Sequence, residues 1–163
     1  VGLVFCMAGD FILRLPIKGA FLTGLVLFLV GHAWFIAAFQ VPVQGRPREW
    51  GWKLLAGFAA YGIAMYAALF PKLGGMTVPV LAYMILICSM GWRAAARWDR
   101  SDRAGWALAG ALFFIVSDSL LGWDRFSAPI PGGRVWIILT YWLAVVGIAL
   151  STTTCSIRRV LPK

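Results

Sequence analysis

The chain has 163 residues, of which 61% are hydrophobic and 13% charged, against roughly 25% charged in an ordinary soluble domain. With a mean hydropathy of +0.84, a water-soluble globule is excluded, because the apolar runs are too long to hide in one core of this size. The net charge of +9 does not signal a nucleic-acid partner, since every Lys and Arg lies between apolar runs or at their edges.

Six apolar runs follow in chain order. Val1 to Leu13 carries Asp10 and looks cut short; because the chain begins with Val inside an apolar stretch, further residues are expected upstream. This run has no basic leader or small-residue cleavage site, so it does not read as a signal peptide. Ala20 to Phe39, Leu54 to Pro71, Leu73 to Trp92 and Val135 to Ile157 contain no formal charge, and Ala104 to Trp123 contains only Asp118. A bilayer crossing needs about 20 mainly apolar residues at 1.5 Å each, so each long run predicts a transmembrane helix.

The breaks, Pro16 to Gly19, Val41 to Trp50, Pro71 to Gly75, Arg93 to Arg103 and Ser127 to Gly133, are short and rich in Pro, Gly or charge. Short links force successive helices to run antiparallel. The prediction is an all-α membrane protein, a single domain over residues 1–163 built as an up-down bundle of six transmembrane helices.

Ten basic residues fall on one side (Arg46, Arg48, Lys53, Arg93, Arg97, Arg100, Arg103, Arg158, Arg159, Lys163) and five on the other (Arg14, Lys18, Lys72, Arg125, Arg134). That bias places the C-terminus in the cytoplasm. Trp50, Trp52, Trp92, Trp106, Trp123 and Trp136 sit near span ends as interfacial anchors. Ala60, Ala64 and Ala68 form a small-residue stripe that predicts close helix packing. Cys6, Cys88 and Cys155 lack any paired spacing and read as small core residues.

Glu49, Asp99, Asp102 and Asp124 lie in predicted loops, whereas Asp10 and Asp118 lie inside spans. An Asp at membrane depth costs about 2.5–3.5 kcal/mol on insertion scales and marks a polar cavity or a partner. Each is predicted about 7 Å inside the same outer face, with Tyr83 and Tyr141 at about 10 Å and His32 deeper, at about 19 Å. A bland alternative for Asp10 is a local ion pair with Arg14 one turn later; for His32 it is a packing role. A single His excludes bis-histidine haem ligation, and no phosphate loop or nucleophile elbow is present, so no metal or other cofactor is expected. Of two carboxyls held close in apolar surroundings, one keeps its proton and the other is charged, which supplies an acid and a base.

Gly9-Asp10, Leu13, Pro16, Phe21, Gly24, Phe28 and His32, then Pro79-Val80, Tyr83 and Met90, resemble the first and middle signatures of the YhhN family of membrane lysoplasmalogenases. Gly110-Ala111-Leu112-Phe113, Ser117-Asp118-Ser119, Phe126, Thr140-Tyr141 and Ser151 resemble its C-terminal signature, although Val145 stands where many members have a polar residue. The resemblance implies eight spans, of which this chain would hold six, and hydrolysis of the vinyl ether bond of a lysophospholipid substrate by water. The residue chemistry agrees: Asp10 and Asp118 would divide the catalytic roles, one donating the proton to the alkene and the other stabilising the cation and deprotonating water, with His32, Tyr83, Ser117 and Tyr141 around the substrate and the alkyl chain in a cleft lined by Phe28, Phe35 and Phe114. A proton-coupled transporter or channel component using the same Asp and His residues as a relay is the competing class, and a passive packing subunit is the third. A bacterial inner membrane is the expected location.

Overall fold

A computed structural model describes residues 1–40, 48–97 and 102–153, without the side chains of Arg48, Glu49, Trp50, Asp102, Arg103 and Thr153. Arg46, Asp99, Arg100, Cys155, Arg158, Arg159 and Lys163 lie outside the described residues, so five of the ten basic residues counted on the cytoplasmic side fall beyond them.

The described residues form six α-helices: α1 (Gly2–Leu13), α2 (Ala20–Ala38), α3 (Arg48–Leu73), α4 (Thr77–Ala96), α5 (Asp102–Phe126) and α6 (Gly133–Thr153). Four segments are long and apolar enough to cross a membrane: Ala20–Ala38, Gly51–Ala96, Ala104–Phe126 and Gly133–Thr152. These make the chain an integral multi-pass membrane protein. Six separate spans are not established by this measure, because α1 has only 12 residues and α3 and α4 fall within one 46-residue apolar segment. Val4, Met7, Ile63 and Val78 are each more than 60% exposed, which suits a surface facing lipid and would be a liability in water.

The turn between α3 and α4 is a single 3₁₀ turn, Gly74–Met76. Gly74 has a φ of 51°, a left-handed conformation that costs glycine least, and the Thr77 hydroxyl donates to its carbonyl at 2.7 Å. Pro71, expected at the break, lies inside the last turn of α3. Pro79 sits in the first turn of α4, where its missing N–H has no intrahelical partner to lose, so it does not interrupt the helix.

Glycine contacts fix the pairing of the helices. A Cβ on Gly2 would meet Gly31 and Phe35, and one on Gly9 would meet Gly24 and Phe28; α1 and α2 therefore run antiparallel. Gly110 meets Ala144 and Ile148 in the same sense, which pairs α5 with α6, and Gly62 meets Met84 and Cys88, which pairs α3 with α4. The expected stripe of Ala60, Ala64 and Ala68 is exposed instead. The inward face of α3 carries Gly62 and Leu69, which are buried, because their positions lie on the side of the helix turned toward α4. Close approach through small residues does hold this protein together, but at glycines such as Gly9, Gly24, Gly62, Gly91 and Gly110.

At the opposite end, α4 ties down α2. Arg97 donates to the Ala38 carbonyl at 3.3 Å and Arg93 to the Phe39 carbonyl at 3.5 Å, satisfying carbonyls that the helix end leaves unpaired. Burial, and then the neighbouring Arg93, lower the Arg97 pKa. Trp52, Trp106, Trp123 and Trp136 are exposed as expected of anchors, whereas the Trp92 indole N–H is spent on the Gly51 carbonyl at 3.0 Å.

Candidate active site

Two cavities meet at Asp118. The first is an apolar pocket of about 50 Å³ whose wall includes Leu13, Phe28, Leu69, Tyr83, Asp118 and Leu121. The second is a cleft of about 290 Å³, lined in part by Asp10, Arg14, Ser117, Asp118, Arg134 and Tyr141. Leu13, Phe28, Asp118 and Leu121 belong to both walls, so one carboxyl stands at the boundary between a hydrocarbon-like space and a charged one.

Asp118 comes from the middle of α5 and its side chain is 15% exposed. The Tyr83 hydroxyl, from α4, donates a hydrogen bond to its Oδ2. Its Oδ1 has no hydrogen-bond partner among the described residues. No Lys or Arg nitrogen stands within 4.0 Å of this carboxyl among those residues; the one cation-forming atom at that range is His32 Nε2, at 4.0 Å.

His32 is fully buried. Its Nδ1 lies 2.6 Å from the Phe28 carbonyl, and since a carbonyl only accepts, the proton sits on Nδ1. Nε2 has no hydrogen-bond partner among the described residues and faces Asp118 at a separation too long for a direct bond. Phe35, Tyr83 and Phe114 stand edge-on to the imidazole at centroid distances of 5.9, 5.4 and 4.8 Å. Such T-shaped packing holds the ring in one orientation.

Asp10 lies closer to the surface, 37% exposed, and pairs with Arg14 at 3.1 Å. The local ion pair foreseen for it therefore forms, and Asp10 still lines the same cleft as Asp118. Tyr141 reaches the cleft between Phe28 and Phe114, with centroid distances of 6.0 and 5.6 Å. Its hydroxyl has no hydrogen-bond partner among the described residues. Ser117 is buried and donates to the Ile137 carbonyl at 3.1 Å, a link between α5 and α6.

The structure thus gathers Asp10, Ser117, Asp118 and Tyr141 on one cleft and bonds Tyr83 to Asp118, as the shared-depth reading expects. The common distance of about 7 Å from the helix ends, expected for both acids, does not hold. Helix α5 runs to Phe126, three residues past Trp123, so Asp118 lies about 12 Å from its end, whereas Asp10 lies about 4.5 Å from the end of α1. The same extension explains why His32, expected deeper, reaches Asp118: it is about 18 Å from the start of α2, a gap that side chains close. His32 lines neither cavity. Phe35 and Phe114 also leave the expected cleft and pack on the imidazole; Phe28 alone of the three lines both walls.

Sequence reasoning missed the charged rim. Arg14, Asp124 and Arg134 line the cleft, yet in sequence they are ordinary residues at span ends. The one available signal is that all three are predicted on the same side of the membrane as Asp10 and Asp118.

The sequence profile of the YhhN family matches residues 1–152. The chain belongs to the YhhN family. It is 39% identical over 159 residues to human lysoplasmalogenase TMEM86A, covering 93% of this chain and 63% of that protein. Human lysoplasmalogenase TMEM86B is 34% identical over 163 residues, covering 99% and 65%, and a lysoplasmalogenase of Mycobacterium bovis is 28% identical over 145 residues, covering 86% and 53%. The chain thus spans less than two thirds of the length of these relatives. No solved structure matches it.

Proposed function

We propose that this chain carries the catalytic centre of a membrane hydrolase that cleaves the vinyl ether bond of lysoplasmalogens, giving a fatty aldehyde and glycerophosphocholine or glycerophosphoethanolamine. The observation that supports this most is the position of Asp118 between an apolar pocket and a charged cleft. In a lysoplasmalogen the scissile bond is where the alkyl chain ends and the polar glycerol begins. An amphiphile lying across the two cavities presents that bond to Asp118. The pocket is smaller than the roughly 150 Å³ that accepts a benzene ring, so it takes the first carbons of the chain and the rest lies along apolar helix faces.

The residues divide the work by their partners. Asp118, with no Arg or Lys beside it among the described residues, carries the proton and delivers it from Oδ1 to the outer alkene carbon, leaving an oxocarbenium ion. Asp10, paired with Arg14, is the carboxylate. It takes a proton from the water that attacks the carbon next to oxygen, and Tyr141 orients that water. Collapse of the hemiacetal returns the Asp10 proton to the leaving glycerol oxygen, while Asp118 takes back the hydroxyl proton. Both acids end as they began. Tyr83 and His32 act through Asp118, fixing its orientation, and Ser117 holds α5 to α6 at the site.

We read α2 to α6 as one crossing each, since α3 and α4 span about 39 and 30 Å and turn back on each other at Gly74–Met76, with α1, about 18 Å long, lying antiparallel against α2. The cleft then opens on the side away from the cytoplasm, the C-terminus is cytoplasmic, and the membrane is the bacterial plasma membrane. The test is incubation of the purified full-length protein with a lysoplasmenyl lipid. Aldehyde released one-for-one with glycerophosphoethanolamine is expected; none from a folded preparation refutes the reading. Proton-coupled flux in proteoliposomes without aldehyde would instead establish the transporter.

A further inference from the structure

The charges that line the cleft are not all used by one another. Arg14 is committed to Asp10 at 3.1 Å. Asp124 accepts the Ile130 N–H on Oδ1 at 2.8 Å, which anchors the loop before α6. Arg134, in the first turn of α6, is exposed and lines the same cleft as Asp118. Among the described residues it has no carboxylate within 4.0 Å and no hydrogen-bond partner.

A guanidinium left unpaired at the mouth of a cleft is matched by an oxyanion with two oxygens to offer, and the planar fork suits phosphate. Its place relative to Asp118 narrows the choice. Asp118 lies about 12 Å from the outer end of α5, and Arg134 stands at the outer end of the adjoining α6. An extended Arg side chain and a glycerol backbone together close that distance, so a phosphate carried on the third glycerol carbon falls within its reach when the first carbon is at Asp118.

We propose that Arg134 is the phosphate-binding residue of a head-group subsite at the mouth of the cleft, selecting phosphate-bearing over phosphate-free ether lipids. This rests on the reading of Asp118 as the reacting centre, but binding can be measured without reaction. The probes are 1-O-hexadecyl-glycerophosphoethanolamine, a saturated ether with no vinyl bond to cleave, and 1-O-hexadecylglycerol, which lacks phosphate. Each is titrated against the full-length protein and its R134Q and R134K variants in detergent, with melting curves to confirm folding.

A hydrogen bond to a charged group is strong enough that R134Q is expected to weaken the phospholipid analogue about tenfold or more. R134K is expected to recover part of that loss, and 1-O-hexadecylglycerol to bind all three proteins alike. Equal weakening of both probes by R134Q, or of neither, overturns the proposal. Inorganic phosphate competing as well as the lysolipid would overturn it as a lipid subsite. Absence of aldehyde release from the parent protein, with the binding pattern intact, would refute the hydrolase reading and leave the subsite standing.

Discussion

Replacing Asp118 with Asn is the sharpest test of the chemistry, because the substitution keeps the shape of the side chain and removes only its acid. The Asn carbonyl still accepts the Tyr83 hydrogen bond, so no hydroxyl is left unpaired. Ala would leave it so, at a cost of about 1–3 kcal/mol. The melting temperature of D118N should therefore stay close to that of the parent protein. Turnover should not. General acid catalysis is worth roughly 10²–10⁴-fold, which at 1.36 kcal/mol per decade is about 2.7–5.4 kcal/mol of barrier. The walls proposed to hold the lipid chain and the glycerol end are unaltered, so KM should remain within about twofold while kcat falls by that factor. The assay is initial-rate aldehyde release in detergent at saturating lysoplasmenyl lipid, with thermal melts of both proteins alongside. A D118N protein that melts normally and turns over within threefold of the parent would remove Asp118 from the reaction.

Asp10→Asn breaks an exposed ion pair worth about 0.2–1 kcal/mol, so its melt should barely move while kcat drops by at least tenfold; an unchanged kcat refutes the base role. Tyr83→Phe removes the donor to Asp118 Oδ2 and should lower kcat about tenfold without altering affinity for a saturated ether analogue, which equilibrium binding and initial rates together report. Gly110→Ala sets a Cβ 2.7 Å from the Ile148 nitrogen and 2.9 Å from the Ala144 oxygen, backbone atoms that cannot rotate away. Parting α5 from α6 should cost about 1–3 kcal/mol, seen as a lower melting temperature. Gly57→Ala meets nothing within 4 Å and should melt at or slightly above the parent, as helix propensity favours Ala; equal losses in the two would refute packing as the cause.

Length and apolar composition settled the helices before any coordinates, since an α-helix and a bilayer crossing both depend on residues close in sequence. The same local logic singled out Asp10 and Asp118, because a charge inside an apolar run is conspicuous wherever the helix later packs. Which face of each helix turns inward was beyond it. These helices are apolar nearly all round, so no stripe distinguishes protein from lipid; the Ala60, Ala64 and Ala68 row, plausible on paper, points away from every neighbour described.

Only the folded chain decided that His32 would close on Asp118, that Phe35 and Phe114 would clasp the imidazole, and that Arg14, Asp124 and Arg134 would ring the cleft. Each depends on the rotation and depth of two or more helices at once. Those are set by where glycines let backbones meet, as at Gly9 against Gly24 and Gly110 against Gly147, and by how far α5 continues beyond Trp123. Composition places a residue in the membrane; contact between helices chooses its companions.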